Sequence, residues 1–526
     1  MRRPLRERLV RATRLMIREL RGSSSRTAFD AAGINRLLLD WIAAARPADD
    51  EIQGELRMLR ARARQLSRNN SYARRFCRLL VNNIVGPTGI QLQAKIRNGR
   101  DLDRKTNDAI EAAWNEWASE PVTVDGRLTL RQLENLLVKT QAVDGEAFVR
   151  VWRGFDNRFG LAFQTIDSDL IDERYNRSAR PGVNEIRMGI EIDGVGRPVG
   201  YHVLRSARIA GSSVEITRER YFVPADEMIH LYSPDRVNQT RGVTTFHAIM
   251  IAAHMLDRYE ESEAVAARVS AAKMGFIVSD PNAGAIGDTT TERSPATMDA
   301  NPGSIEELPF GKRFEAWDPD HPTSQFGAFC KELKRKIASG LSVFYNVLAN
   351  DAEGVSYSSM RSFSLIERDD WRQIQRDFVD GWRRRIYREW IGSALLTGAL
   401  RLPSRTPDRY LDVAHRCRGW DWIDPEKAAK GAVLGIQNGL GTRTAFLAER
   451  GLDIEDVFRE LARENDLAAE YGISIDGDPG DDERLTAEEW ADKQAADDAG
   501  DGGNGADRSH AIGTVGTPVV TGRPRN

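Results

Sequence analysis

The sequence predicts an α+β fold in which a region of mixed helices and strands is followed by very long helices. Three segments have the apolar content or alternation of β-strands: residues 90–96, 147–152 and 161–166. Two further runs flank Asp193 and Gly194, a dipeptide typical of hairpin turns. Residues 244–273 and 356–392 instead repeat apolar side chains at helical spacing without a proline, which predicts helices of about 45 and 55 Å.

Shorter helices are predicted before and between these strands. Apolar residues recur at helical spacing in four segments: residues 51–67, 73–84, 106–119 and 130–142. Gly86 and Pro87 would stop the second of these helices. Residues 146–233 are then mainly β, so the first half of the chain is predicted to be a mixed α+β domain.

The second half of the chain contains a long excursion between two helices. Residues 276–325 hold two short apolar stretches around a segment rich in Gly, Thr, Ser, Pro and Asp, which predicts a mobile loop. A helix then starts near Ser324 and ends near Leu341, and a polar loop, residues 346–354, precedes the last long helix. Three helices are predicted towards the carboxyl end: residues 425–435, 442–451 and 453–469.

Length and charge limit the class of protein. The chain has 526 residues, 41% of them hydrophobic, which is enough for several cores. A formal net charge of -3 excludes a strongly basic protein that grips nucleic acid over its whole surface. The charge is uneven, because residues 1–78 hold 19 arginines against 8 acidic residues, whereas residues 476–507 hold 12 acidic residues against 2 basic ones. The two ends therefore face different partners or solvent, and we expect the acidic tail to be disordered.

The cysteines and the apolar runs indicate the compartment. Cys77, Cys330 and Cys417 lie far apart without a CxxC spacing, which argues against a disulfide framework or a zinc knuckle and fits a reducing cytoplasm. No apolar run reaches the roughly 18 to 20 residues of a membrane span, and the first residues lack a secretory signal. The Arg-rich start leaves an organelle transit peptide as an alternative, although Glu7 and Glu19 interrupt that pattern.

Motifs of several enzyme classes are missing from the sequence. No GxxxxGK[ST] phosphate loop occurs, because the Gly311-Lys312 pair lacks both the upstream glycine and the hydroxyl residue. The histidines form no HExxH motif, and no serine has a GxSxG context. We therefore expect no catalytic residue, no cofactor and no metal site.

One group of acidic residues leaves an enzymatic alternative open. Asp167, Asp169 and Asp172 resemble a carboxylate set that holds Mg²⁺ in nucleases. The same residues directly follow a predicted strand, where aspartate side chains commonly cap turns. Turn capping is the favoured interpretation, and a Mg²⁺-dependent DNA-processing enzyme is the alternative.

An ordered set of short strings resembles the lambda-type phage portal proteins. The strings are NNIVGPTG at 82–89, QTIDSD at 164–169, VPADEMIH at 223–230, DRVNQTRG at 235–242 and GVSYSS at 354–359. Each string alone is weak, but together they span roughly residues 50–470. The resemblance implies a non-enzymatic subunit of a ring-shaped channel at one capsid vertex, which is a conduit for DNA packaging and ejection. A capsid or scaffold protein without a channel is a second alternative.

The family implies a portal fold with a mixed α+β wing, a two-helix stem, a small β-containing clip, a long tunnel-side helix and an α-helical crown. Carried onto this sequence, it divides the chain into nine segments: a basic, partly disordered segment 1–50, wing 51–243, first stem helix 244–275, clip 276–323, second stem helix 324–341, tunnel loop 342–355, long helix and remaining wing 356–420, crown 421–475 and disordered acidic tail 476–526. These boundaries are expectations from the resemblance.

The family also implies the partners and the location. We expect a homo-oligomeric ring of twelve subunits, the head-tail connector of the virion, assembled in the bacterial host cytoplasm. Its partners would be double-stranded DNA bound without regard to sequence, the large terminase subunit, head-completion or tail connector proteins and the major capsid protein. No membrane partner is expected.

Two sets of residues are candidates for these contacts. The DNA channel candidates are Lys331, Lys334, Arg335, Asn346, Asn350 and Asp351. The basic members would give weak contacts with phosphates. The alternatives are a solvated helix face, or pairing with acidic residues of a neighbouring subunit such as Glu260, Glu261 or Glu263. The clip candidates for terminase docking are Lys312, Arg313, Phe314 and Trp317.

Overall fold

A computed structural model describes residues 45–208, 214–271, 275–279, 312–316, 325–420, 425–450 and 452–471. Two compact units divide the chain, Met1–Gly451 and Leu452–Asn526. Helices and strands both occur, which confirms the mixed class that the sequence predicts. Within the described ranges, no helix is both long and apolar enough to cross a lipid bilayer.

Helices form most of the described chain. They are α1 Ala48–Ile52, α2 Leu56–Asn69, α3 Ser71–Ile84, α4 Arg104–Ser119, α5 Leu130–Asp144, α6 Met250–Ala271, α7 Phe326–Gly340, α8 Tyr345–Ala349, α9 Tyr357–Phe378, α10 Arg384–Thr397, α11 Pro425–Gln437, α12 Arg443–Glu449 and α13 Ile454–Glu470. The helix predicted over residues 51–67 is divided at Gly54, because glycine has low helix propensity.

The strands form small antiparallel sheets. They are β1 Gln91–Ala94, β2 Arg97–Asn98, β3 Asp101–Leu102, β4 Glu146–Arg153, β5 Leu161–Ile166, β6 Glu185–Arg187, β7 Ile190–Ile192, β8 Pro198–Arg208, β9 Val214–Pro224, β10 Met228–Tyr232, β11 Gly275–Ser279, β12 Lys312–Ala316 and β13 Val413–Arg416. One sheet has the order β10-β4-β5, a second has the order β6-β7-β8-β9, and the remaining pairs are β1-β13, β2-β3 and β11-β12. The predicted hairpin at Asp193 is confirmed, since β7 pairs with β8 across that turn.

The main core lies where helices pack on the β10-β4-β5 sheet. Aromatic rings of α4 and α10 meet there: Trp114 lies 5.0 Å from Trp117 and 5.1 Å from Trp390, between ring centroids, and all three side chains are buried. Each such side chain removes roughly 150–250 Å² from water, so this cluster contributes strongly to folding. It fixes the long carboxyl-terminal helices against the first half of the chain.

A second, smaller core joins the two larger sheets. Phe148 from β4 packs with Ile190, Tyr201 and Val223 from the four-stranded sheet. Along β7 a half-buried residue stands between two buried ones, which is the alternation of a strand with one face in the core. The two sheets therefore form one layered β region, with helices on its other side.

The helix predicted over residues 244–273 is shorter and begins with a tighter turn. A 3-10 turn, Thr245–Ala248, precedes α6, which has 22 residues. The Thr244 hydroxyl accepts a hydrogen bond from the backbone N–H of Phe246 and donates one to the carbonyl of Ala142. These bonds, together with the fully buried Phe246 ring, hold the first turn in the tighter geometry.

The last long helix extends further than predicted and contains an irregular turn. Helix α9 has 22 residues, a π-helical segment, Val379–Arg383, has 5, and α10 has 14. The helix ends at Gly398, whose φ of 76° terminates it, rather than at Gly392. In the π-helical segment, Trp382 Nε1 and Arg383 Nη2 both donate to the buried carboxylate of Glu134, at 3.0 and 2.8 Å.

The second compact unit is described through α13. The Asp453 side chain caps this helix by accepting hydrogen bonds from the backbone N–H groups of Glu455 and Asp456. Phe458 and Leu461 lie on one side of the helix and are exposed. The boundaries match the helix predicted over residues 453–469.

Candidate functional site

The predicted channel residues form one cluster. Lys331, Lys334 and Arg335 lie on α7, and the chain that leaves this helix turns back so that Asp351 approaches it. The Lys331 Nζ lies 3.5 Å from the Asp351 Oδ2. The structure therefore brings together basic residues and a loop carboxylate that the sequence predicts separately.

Tyr345 connects the two parts of this cluster and is missed by the sequence analysis. Its hydroxyl donates a hydrogen bond of 2.7 Å to Asp351, and the Lys331 and Arg335 cations lie 6.0 and 5.8 Å from its ring centroid. Burial raises the pKa of Tyr345 to about 12, and the neighbouring carboxylate adds to the effect. The same hydrogen bond lowers the pKa of Asp351. Asp351 is therefore held in its charged form.

The loop itself is more ordered than its polar composition predicts. Tyr345–Ala349 form the short helix α8, so the loop is restricted to the residues after it. Asn350 ends this helix with a φ of 52°, and the Asn346 amide donates to the backbone carbonyl of Asp351 at 2.5 Å. The Asp351 carboxylate also accepts a hydrogen bond from the backbone N–H of Glu353. Asx-type bonding of this kind explains why a polar segment folds here.

The other two cations also have partners in the same chain. Lys334 Nζ lies 3.1 Å from Glu260 on α6 and 5.7 Å from the ring centroid of Tyr72. Burial opposes the charged form of Lys334, but Tyr72 and Glu260 outweigh it, and its pKa is raised. Arg335 pairs with Glu332 one turn away on the exposed side of α7, at 2.6 Å. The chain's own Glu260 therefore occupies the position that a neighbouring subunit's acidic residue was expected to take.

The acidic group after β5 caps a turn and is held by arginines. The Asp167 carboxylate accepts a hydrogen bond of 2.9 Å from the backbone N–H of Asp169, which confirms the turn-capping interpretation. Arg64 contacts both of these aspartates, at 2.9 and 2.6 Å, and Arg220 pairs with Asp172. Guanidinium groups thus stand where a metal ion would have to bind. The described ranges contain no group of three or more side chains placed to ligate one.

A buried hub of charge lies beside this turn. The Glu146 carboxylate at the start of β4 accepts hydrogen bonds from Arg241 at 2.6 Å, Arg60 at 2.9 Å and His230 at 3.1 Å. It also accepts one from the backbone N–H of Gly242. All of these side chains are buried, so the hub ties α2, β4, β10 and the segment after β10 together.

The electrostatics of the hub follow from burial and pairing. Burial disfavours the charged form of Glu146, but Arg241 and His230 outweigh it, and the pKa of Glu146 is lowered. For His230 burial dominates, and its pKa is lowered although Glu146 favours the protonated form. Sequence reasoning did not find the hub, because Glu146 and Arg241 are separated by 95 positions and lie in no shared motif.

The predicted clip residues lie at the edge of the described part of the chain. Lys312, Arg313 and Phe314 belong to β12, which pairs with β11 so that Phe314 stands opposite Ile277. The two short apolar stretches of the excursion therefore contribute an antiparallel pair of strands, a pairing that the sequence analysis did not predict. Trp317 lies outside the described residues, as do the residues before 45 and after 471 that were predicted to be basic and acidic tails.

The comparison with protein families confirms the resemblance. Residues 35–375 match the family described as phage portal protein, lambda family. The match includes both larger sheets, the Glu146 hub and the Lys331 cluster. The chain belongs to the lambda family of phage portal proteins.

Individual relatives agree with this assignment. The chain is similar to a probable portal protein of Halomonas phage phiHAP-1, with 33% identity over 446 residues, which cover 83% of this chain and 86% of that protein. Portal protein B of Escherichia phage lambda is 24% identical, over 82% of this chain and 88% of its own length. Among solved structures, a chain in the neck of an empty GTA particle matches 79% of this chain and 98% of its own length, with 12% identity and a TM-score of 0.40.

Proposed function

We propose that this chain is the portal subunit at one capsid vertex, where copies of it form a ring-shaped channel for DNA packaging and ejection. The observation that carries this proposal is membership of the lambda portal family, over residues that include most of the described fold. The ring would have twelve subunits. It would dock the large terminase subunit, the head-completion or tail connector proteins and the major capsid protein, after assembly in the host cytoplasm.

Within this ring, residues 51–243 would belong to the wing, α6 and α7 to the stem, β11 and β12 to the clip and the helices after residue 421 to the crown. The loop after α7 would face the tunnel. The pairing of the cations on α7 with carboxylates supports this role. A channel must let DNA slide, and each phosphate that a cation neutralises adds affinity for DNA and so opposes sliding. Asp351 and Glu260 partly neutralise Lys331 and Lys334, so these lysines would bind DNA phosphates more weakly.

We further propose that the chain is non-enzymatic. The enzymatic alternative requires Asp167, Asp169 and Asp172 to bind Mg²⁺. In the structure each of these aspartates pairs with an arginine. A nuclease assay with and without Mg²⁺ tests this, with Asp167→Ala as the comparison. Metal-dependent cleavage that is lost in this variant would establish the enzymatic alternative instead.

Electron microscopy of the purified chain tests the portal proposal. Rings with a central hole are expected, whereas shells or filaments would establish a capsid or scaffold role.

Packaging tests the channel residues: Lys331→Glu with Arg335→Glu should lower packaged DNA while rings remain intact. A matched reversal, Arg258→Glu with Arg372→Glu on exposed sites of α6 and α9, should package normally. Equal packaging by both variants would remove the channel assignment.

A further inference from the structure

A basic pocket lies between helices α2, α3 and α5 and uses none of the residues of the Lys331 cluster. Its cations come from all three helices: Arg68 from α2, Arg74 and Arg78 from α3 and Lys139 from α5. All four residues are exposed. The pocket has a volume of about 490 Å³.

These cations differ from Arg64 in having no acidic partner among the described residues. Arg64, one turn before Arg68 on α2, contacts Asp144 at 2.6 Å and Asp169 at the same distance. No carboxylate in the described part of the chain forms an ion pair with Arg68 or with the other three cations of the pocket. Four positively charged side chains therefore lie together there without a paired carboxylate.

The pocket is held in shape by the main core. Arg74 and Arg78 are one helical turn apart, so they extend from the same side of α3. Cys77, between them, is buried, and together with the buried Ser67 it lines the inner part of the pocket. Asn82 also lines the pocket. The positions of the cations are thus set by packed helices rather than by a loop.

The lining favours phosphate over protein as the ligand. It includes no carboxylate and none of the large apolar side chains that are exposed elsewhere on the molecule. Protein interfaces usually have an apolar or aromatic centre, whereas nucleic-acid interfaces are polar and positively charged. Guanidinium groups also bind phosphate oxygens through paired hydrogen bonds.

We propose that this pocket binds the phosphate backbone of double-stranded DNA, without regard to base sequence, as a DNA contact separate from the Lys331 cluster. This inference rests on the proposed function in so far as that function brings DNA to the chain. The contact itself depends on residues within a single chain.

Covalently closed circular DNA distinguishes the two contacts, because a circle without ends cannot thread a closed ring. Filter binding of relaxed circular DNA is measured for the full chain over a series of salt concentrations. The variant carries Arg74→Gln, Arg78→Gln and Lys139→Gln. The matched control carries Arg104→Gln, Lys105→Gln and Arg388→Gln, which remove the same charge from exposed positions outside the pocket.

We expect the pocket variant to bind the circle at least tenfold more weakly, and the control to stay within twofold of the unmodified chain. The slope of log K against log salt should fall by about two to three in the pocket variant, since each lost phosphate contact removes about 0.9. Equal losses in both variants would reduce the effect to net charge and overturn the proposal. Unchanged DNA binding with loss of binding to poly-L-glutamate would assign the pocket to an acidic protein instead. The comparison between the two variants does not require that the chain form rings, whereas in rings the circle also excludes binding by threading.

Discussion

Arg241 and Glu146 form an ion pair that is completely removed from solvent: the Arg241 Nη2 lies 2.6 Å from the Glu146 Oε1, and both side chains are 0% exposed. Removing one partner of a buried pair usually costs about 3–5 kcal/mol, and here it leaves Glu146 with Arg60 as its remaining guanidinium partner. We expect Arg241→Met to lower the free energy of unfolding by about this amount, measured by urea denaturation. Arg258→Met is the matched control, because its pair with Glu261 is exposed and should cost less than about 1 kcal/mol. Similar values for both variants would contradict the assigned role of the hub.

His415 should make the chain less stable as the pH falls. Burial lowers its pKa from 6.5 to about 3, and in the described part of the chain neither ring nitrogen has a hydrogen-bond partner. The unfolded chain therefore takes up a proton first, so the stability due to neutral His415 is complete above pH 6.5 and is lost progressively towards pH 3. The loss should be about 1.4 kcal/mol per pH unit within this window.

Urea denaturation at pH 7.5 and pH 5.5 measures this effect. The unmodified chain should lose stability between the two values, and His415→Phe, which keeps an aromatic ring beside Tyr387, should lose less. A remaining loss is expected from His230, whose pKa is also lowered by burial. Identical pH profiles for His415→Phe and the unmodified chain would show that His415 is not buried in its neutral form.

Asp351 should determine how firmly the loop after α8 is held. Its carboxylate accepts hydrogen bonds from the Tyr345 hydroxyl and the Glu353 backbone N–H, and it pairs with Lys331. Because these contacts hold the residues around Asp351 in place, Asp351→Ala should speed amide hydrogen exchange in residues 350–355 by roughly tenfold. Glu353→Ala, at an exposed side chain in the same loop, should leave the exchange of the neighbouring amides unchanged. Slow exchange in both variants would mean that α8 alone orders the loop.

Gly145 should tolerate no side chain. It joins α5 to β4 with a φ of 88°, and a Cβ there would lie 2.3 Å from the backbone of Val243. The left-handed conformation alone costs a non-glycine residue about 1–2 kcal/mol, and the clash adds to this. Gly145→Ala should therefore lower the melting temperature clearly. Gly99→Ala is the control, because it has a similar φ of 69° but open space around it. A smaller effect at Gly145 than at Gly99 would contradict the close approach.

The periodic parts of the fold were predictable from the sequence, but their partners were not. The segment at residues 90–96 is a strand as expected, yet β1 pairs with β13, in the register Gln91 with Arg416. Nothing local to either strand indicates that pairing, because register depends on the packing of the layers between them. The long helix was likewise predictable, whereas its π-helical segment was not, since the turn is set by Glu134 on another helix.

The sequence predicted several of the residues that belong to the candidate site, but not which of them contact one another. Lys331 and Asp351 were both expected at the site, and the structure shows that they pair. Tyr345 between them was missed because a single aromatic residue before a polar loop has no distinctive spacing. Pairing of Lys334 with Glu260 was considered only between subunits, as one alternative to the channel role. In the structure the two residues pair within the same chain, because α6 and α7 pack side by side.

The wide turn Val379–Arg383 holds one residue more than a regular α-helical turn. In a regular α-helix an additional residue would rotate every later side chain by about 100° around the axis. The π-helical turn takes up this rotation locally, so that Arg383 reaches Glu134 while Trp390 is still directed towards Trp114. Deleting one residue of the turn would let it close into a regular α-helical turn without rotating Trp390 away from that cluster. The contacts with Glu134, rather than the direction of the later helix, therefore depend on the extra residue.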